Sequence, residues 1–200
     1  MPNWCNNTVE ITHEDPAMIE RVRKAFNDGG LLSELIPCPA ELHEHESPIR
    51  DTELAKRFLE QYGATDWYNW QVQNWGTKWD IGADGNPAVD LGTDFGKGLI
   101  LDFDSAWSPP INAYEKLTEM GFTIKAYYYE CGMCFAGIWD DGNDEFYDYS
   151  SMTSEQVAEE FPKELDEMFC ISESMAEWEE ENQEIDLDGG LSATNEQDPV

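Results

Sequence analysis

Basic residues are scarce: 11 Lys and Arg face 43 Asp and Glu in a chain of 200 residues, for a formal net charge of −32. A surface this acidic repels phosphate backbones and anionic membranes at long range, which disfavours direct nucleic-acid binding. It attracts basic protein surfaces and cations, and it can imitate the charge of nucleic acid toward a protein that binds nucleic acid. The bland alternative is that the acids serve solubility alone. Long apolar runs are missing as well. No stretch of about eighteen apolar residues occurs, so no membrane span is expected. The N-terminus, Met1-Pro2-Asn3-Trp4-Cys5-Asn6-Asn7, lacks the basic and apolar segments of a secretory signal. A cytoplasmic setting is the expectation, with Cys5, Cys38, Cys131, Cys134 and Cys170 as reduced thiols.

Several chemical signatures are also wanting. Gly76-Thr77-Lys78 has no upstream glycine to make it a phosphate loop, and no GxSxG serine elbow occurs. Cys131-Gly132-Met133-Cys134 is a lone CxxC. It has no second pair for zinc, and it falls on a predicted hairpin rather than at a helix N-terminus, where a thiolate would be stabilised. His43 and His45 stand two apart in His43-Glu44-His45-Glu46, which does not place them on one helix face. Asp102 and Asp104 share a strand face, and exposure there is the plainer expectation than a cation site or an acid–base pair. No catalytic residue, cofactor or metal site is assigned.

What the chain does have is aromatic residues. Aromatic content is 12% and apolar content 40%, enough for one well-buried core. Trp67 to Asp80 alone holds four of the eight tryptophans. At that density the stretch is the centre of either a packed core or a pocket.

Periodicity orders the rest. Thr8 to Thr12 alternates as a strand. Asp15 caps and Pro16 opens a helix with Met18, Ile19, Val22 and Phe26 on one face, ending at Asn27-Asp28-Gly29-Gly30. Arg21, Arg23 and Lys24 near its end suit the macrodipole as a solvated face. Leu31 to Pro48 reads as irregular. A helix follows from Asp51 to Tyr62, with Leu54, Phe58, Leu59 and Tyr62 inward and Gly63 as its stop. Thr77 to Ile81 enters a strand, and Gly98 onward gives another. Ser108 is the predicted cap of a helix through Ile111, Tyr114 and Leu117. Strands over Thr123–Glu130 and Met133–Asp140 form a hairpin, and Glu145–Tyr149 adds a last strand.

This order predicts an α+β fold: a ferredoxin-like split βαβ antiparallel sheet with an added hairpin. Residues 1–150 form that domain, with a helical insertion at about 31–76. Residues 151–188 are an acidic helical extension, opened by the capping box Thr153-Ser154-Glu155-Gln156. After Pro162 one helical pattern carries Leu165, Met168, Phe169, Ser172 and Met175. Order is expected to fade over 189–200, which offer little to bury.

Three motifs carry a family likeness. At Met1-Pro2-Asn3-Trp4-Cys5-Asn6-Asn7, Asn74-Trp75-Gly76-Thr77-Lys78-Trp79 and Ala106-Trp107-Ser108-Pro109-Pro110 the chain resembles the YubB-like proteins of plasmids and bacteriophages, from Met1 to about Asp148. The resemblance implies a ferredoxin-like domain and a mobile-element origin, and it supplies no catalytic residues.

The candidate binding constellation is Asn3, Trp4, Asn74, Trp75, Lys78, Trp79, Trp107 and Pro109. These residues make either an aromatic floor with polar contacts or a set of core and loop anchors. The candidate acidic interaction surface is Glu177, Glu179, Glu180, Glu181, Glu184, Asp186 and Asp188. The expected function is that of a mobile-element accessory protein. It binds a host protein with a basic surface and inhibits or redirects it, in host defence or in nucleic-acid-binding machinery. The alternative is a small-ligand or nucleotide-binding protein using the tryptophan pocket.

Overall fold

The computed structural model describes residues 3–92 and 96–190, with side chains as far as residue 182. The chain divides into two compact units, Met1–Phe146 and Tyr147–Val200.

The first unit is built on β1, Trp4–Thr12. Burial alternates along it, with Cys5, Asn7, Val9 and Ile11 buried on one face and Trp4 and Asn6 exposed on the other. β3 (Gly98–Ala106) pairs antiparallel on one side of β1 and β4 (Thr123–Glu130) on the other. β3 and β4 are therefore parallel to each other with β1 between them. The helix joining them is α6, Ile111–Glu119, which completes the split β-α-β unit. β2 (Val89–Asp90), β5 (Phe135–Asp140) and β6 (Asn143–Asp148) extend the sheet to the order β2-β3-β1-β4-β5-β6.

One face of this sheet is covered. α1 (Pro16–Asn27) starts where Asp15 accepts from the Ala17 amide, and Pro16 supplies its first turn. Its Ile19, Val22 and Phe26 share one core with Val9, Ile11, Leu101 and Phe103, and with Ala113, Tyr114 and Leu117 of α6. Two of the three bases of α1 are held in ion pairs. Arg21 bonds the Glu34 carboxylate at 2.7 Å and the Glu34 carbonyl at 2.9 Å, and Arg23 pairs with Asp90 at 2.5 Å.

The insertion is more helical than its prolines predict. Leu31 to Pro48 carries two short helices, α2 (Leu31–Leu35) and α3 (Ala40–His43), which bury Leu31, Leu32, Leu35 and Leu42. α4 (Thr52–Tyr62) is capped by Asp51 and stopped by Gly63 at φ 76°. Leu59 is exposed, not inward, and Phe58 carries the buried face. The aromatic stretch forms α5, Trp67–Trp75. The strand expected over Thr77 to Ile81 does not form. The chain bends over Thr77 to Trp79 instead, with the Thr77 hydroxyl bonded to Ala106 and the Asp80 carboxylate to the Leu32 and Ser33 amides.

The second unit is helical: α7 (Ser154–Glu160), α8 (Lys163–Phe169) and α9 (Ile171–Gly190). The Thr153 capping box is present at α7. The single helix expected after Pro162 is two, broken where Cys170 takes a left-handed φ of 51°. The Asp166 carboxylate accepts from the amide and hydroxyl of Ser172, which stabilises the restart. Val157, Leu165 and Ile171 are buried. α9 continues to Gly190, and 191–200 lie outside the described residues.

Candidate functional site

The three motifs meet at one end of the sheet. Register places Trp4 opposite Ala106, and the Trp107 amide donates to the Asn3 carbonyl at 3.0 Å. α5 arrives there by a defined route. Buried Asp66 caps its start, accepting from the Asn69 amide and from the Ser47 and Thr65 hydroxyls. Burial alone would raise the Asp66 carboxyl, but these hydrogen bonds win and hold it below the usual carboxylate value. α5 ends at Gly76, at φ 83°. A side chain there would press the Ile111 amide nitrogen at 3.0 Å, so glycine meets both the turn and the close approach.

Part of the constellation is structural. Trp75 is 2% exposed, and its indole Nε1 donates to the Ile36 carbonyl at 2.9 Å. Asn74 donates to the Trp70 carbonyl at 2.8 Å and accepts from Lys116 Nζ. The buried Thr77 hydroxyl donates to the Ala106 carbonyl at 3.0 Å and accepts from the Ala106 amide at 3.1 Å. Ser108 does not cap α6. Its hydroxyl donates to the Gly76 carbonyl at 2.6 Å, which ties the second motif to the third. Pro109 is buried, and a side chain on Gly132 would meet the Asn3 amide at 2.7 Å, so Asn3 packs on the β4–β5 turn.

The remainder faces outward. Trp4 is 47% exposed, Trp79 39% and Trp107 50%. The Trp4 and Trp79 rings lie 5.6 Å apart between centroids. Lys78 Nζ sits 4.8 Å from the Trp79 ring centre and 5.8 Å from that of Tyr68. Tyr68 and Val72, one turn apart on α5, are exposed too and extend the patch. Neither was a candidate from sequence, although their i, i+4 spacing placed them on one helix face. Trp107 holds a left-handed φ of 73°, rare for a bulky residue. Strain of this kind persists where the surroundings impose it, and here it turns an indole toward solvent.

Beside the paired rings lies a cleft of about 270 Å³, lined by Trp4, Trp79, Asp80, Asp84 and Asp104 among others. Asp80 holds its wall, accepting from the Leu32 and Ile81 amides through one oxygen and the Ser33 amide through the other. Asp104 and Asp102 are exposed, as expected of them, and take hydrogen bonds from Asn6 and Thr8 at 2.6 and 2.8 Å.

The thiols and histidines form no site with them. Burial pushes the Cys5 thiol up to about 12, so it stays protonated. Cys131 and Cys134 lie in the hairpin turn, whose amides at Gly132 and Met133 donate to Glu130. His43 stacks on Trp67 and His45 lies against Phe58. Among the described residues no group of three His, Cys, Asp or Glu could hold a metal ion.

The acidic candidates of the second unit divide as well. Glu177, Glu180 and Glu181 are exposed. Glu179 is committed: it accepts from the Ser154 amide at 2.9 Å and hydroxyl at 2.7 Å, which hold its carboxyl below the usual range. The side chains of Glu184, Asp186 and Asp188 lie outside the described residues. No helix among the described residues is long and apolar enough to cross a membrane.

A family model described as the ferredoxin-like domain in Api92-like protein matches residues 74–188. The fold class agrees with it. Among solved structures, the crystal structure of a protein api92 from Yersinia pseudotuberculosis is similar over 74% of this chain and 98% of that one, at 13% sequence identity and a TM-score of 0.37. No curated protein matches the chain. The family match takes in two of the three tryptophan motifs and runs on into α9, past the point near Asp148 where the motif resemblance ends.

Proposed function

The chain belongs to the family of ferredoxin-like domains in Api92-like proteins, and on that footing we propose that it is an interaction protein that binds a protein partner through its tryptophan corner. The observation that carries the reading is the exposure of Trp4, Trp79 and Trp107 around one end of the sheet. Indole rings left half in water at a fixed place are what a protein interface uses as anchors, and tryptophan, tyrosine and arginine dominate such contacts. The net charge of −32 selects a basic partner surface and speeds encounter with it.

The likeness of the three motifs to YubB-like proteins of plasmids and bacteriophages supports the finer reading. In it the protein is a mobile-element accessory factor in the cytoplasm of a bacterial host, acting on a host protein. If that host protein binds nucleic acid, the acidic surface is a mimic of its ligand.

The test is capture from bacterial lysate at low and moderate salt with the wild-type chain and a Trp79→Ala, Trp107→Ala double variant. One dominant protein, held more weakly at moderate salt and lost with the double variant, supports the reading. Capture that ignores both indoles overturns it.

A further inference from the structure

We infer that the cleft between Trp4, Trp79, Asp84 and Asp104 receives the guanidinium group of an arginine side chain presented by the partner. This rests on the interaction reading above and adds the chemistry of the contact.

The cleft is small. At about 270 Å³ it lies below the range of about 300–1,000 Å³ that holds drug-sized ligands, and it suits one side-chain head group. Its chemistry is one-sided. The lining offers two indoles and the carboxylates of Asp80, Asp84 and Asp104, with no base among the described lining residues. Among the described residues Asp84 and Asp104 have no ion-pair partner, although Asp104 accepts from Asn6. Carboxylates of this number repel a phosphate and attract a cation. Trp79 already draws a cation, since Lys78 Nζ stands over its ring at 4.8 Å, and Lys78 is not part of the cleft lining.

The walls are also preformed. Gly82 crosses Gly29 so closely that a Cβ on Gly82 would lie 2.4 Å from the Gly29 Cα, and Asp80 is held by three backbone amides. A site that needs no rearrangement loses little affinity to ordering.

The guanidinium fits better than an ammonium. It is planar, weakly hydrated, stacks on aromatic faces and presents a fork of donors to carboxylates. An arginine between an indole face and two aspartates uses each of these properties.

Titration of the full-length chain with tetra-arginine peptide at low salt, followed by tryptophan fluorescence and calorimetry, tests this. Tetra-citrulline has the same shape without the charge, and tetra-lysine has the charge without the fork. The expected order is arginine, then lysine at least about fivefold weaker, then no binding by citrulline. Asp84→Asn with Asp104→Asn should weaken the arginine peptide by about tenfold or more. Glu115→Gln with Glu119→Gln removes the same charge from α6 and should change it less than about twofold. Equal weakening by the two pairs, or equal binding of arginine and lysine, overturns the inference. So does no binding of tetra-arginine by the wild type. If that occurs while the Trp79→Ala, Trp107→Ala chain still loses its captured protein, the arginine pocket falls and the interaction reading stands. If capture ignores the indoles, the interaction reading itself falls.

Discussion

Trp75 and Trp79 stand four residues apart in one motif and meet opposite fates. Trp75 closes α5 with its ring 2% exposed and its indole nitrogen bonded to the Ile36 carbonyl. Trp79 lies past the Gly76 turn, 39% exposed, against the Trp4 ring and under the Lys78 amine. The turn divides them. Gly76 takes φ 83°, and Thr77 fixes the chain to Ala106 through both its donor and its acceptor, so Trp75 before the turn faces the core and Trp79 after it faces out. An aromatic-rich motif is therefore not one functional object. Its first half builds the corner and its second half is displayed by it.

The contrast breaks most visibly in stability. Trp75→Ala removes a fully buried indole and leaves the Ile36 carbonyl without its donor. A loss of about 3–5 kcal/mol is expected from urea unfolding. The same substitution at Trp79 should cost less, about 1–2 kcal/mol, because that ring is already 39% exposed. Similar losses at the two positions would mean that Trp79 is a packing residue and that the corner is core after all.

Asp66 offers a smaller and pH-dependent handle on the inward half. It caps α5 and receives the Ser47 and Thr65 hydroxyls, so Asp66→Ala should cost about 2 kcal/mol at neutral pH. The folded carboxyl is held below its ordinary value of 3.8. A group depressed in the folded state contributes stability above its unfolded value, and that contribution is lost as pH falls through the folded one. The gap between wild type and variant should thus be full at pH 7 and shrink below about pH 4. A gap of constant size down to about pH 3 would show that the charge of Asp66 is not what holds the helix start.

Local signals in the sequence were enough for the elements that stabilise themselves. Asp15 with Pro16, Asp51 with Gly63, and the Thr153 box each cap a helix by bonds within a few residues. The alternation of β1 and β3 announces the buried face directly. Failures fall where a distant partner decides. Thr77 to Ile81 has strand-like composition, yet Thr77 bonds Ala106 and Asp80 caps α2 through Leu32 and Ser33. Ser108 has the right neighbours for a cap, yet its hydroxyl goes to Gly76. The candidate site behaves likewise. The density of tryptophan was legible, and so was the approach of Trp107 to Trp4 at neighbouring strands, whereas Trp79 reaches Trp4 from a bent segment and not from the strand its motif was expected to enter. Which indoles face water was not, because that depends on the same long-range bonds. Asp84 and Asp104 gave no sign of flanking a cleft, since only the fold brings residues twenty apart to its two sides.

The smallest expected change in stability is at Trp107, and its sign is the informative part. This residue holds φ 73°, a conformation that costs a β-carbon-bearing residue about 1–3 kcal/mol and glycine almost nothing. Its indole is 50% exposed, so truncation surrenders the burial of about half the side chain. The Trp107→Gly chain keeps the backbone amide that donates to the Asn3 carbonyl. Thermal unfolding should therefore show the variant within about 1 kcal/mol of the wild type, strain relief set against lost burial, while capture of the partner weakens. A variant that is more stable and binds less would mean that the wild-type chain carries a strained indole for the sake of contact. A variant less stable by about 1 kcal/mol or more would mean that Trp107 anchors the corner as Trp75 does, and that the displayed half of the motif ends at Trp79.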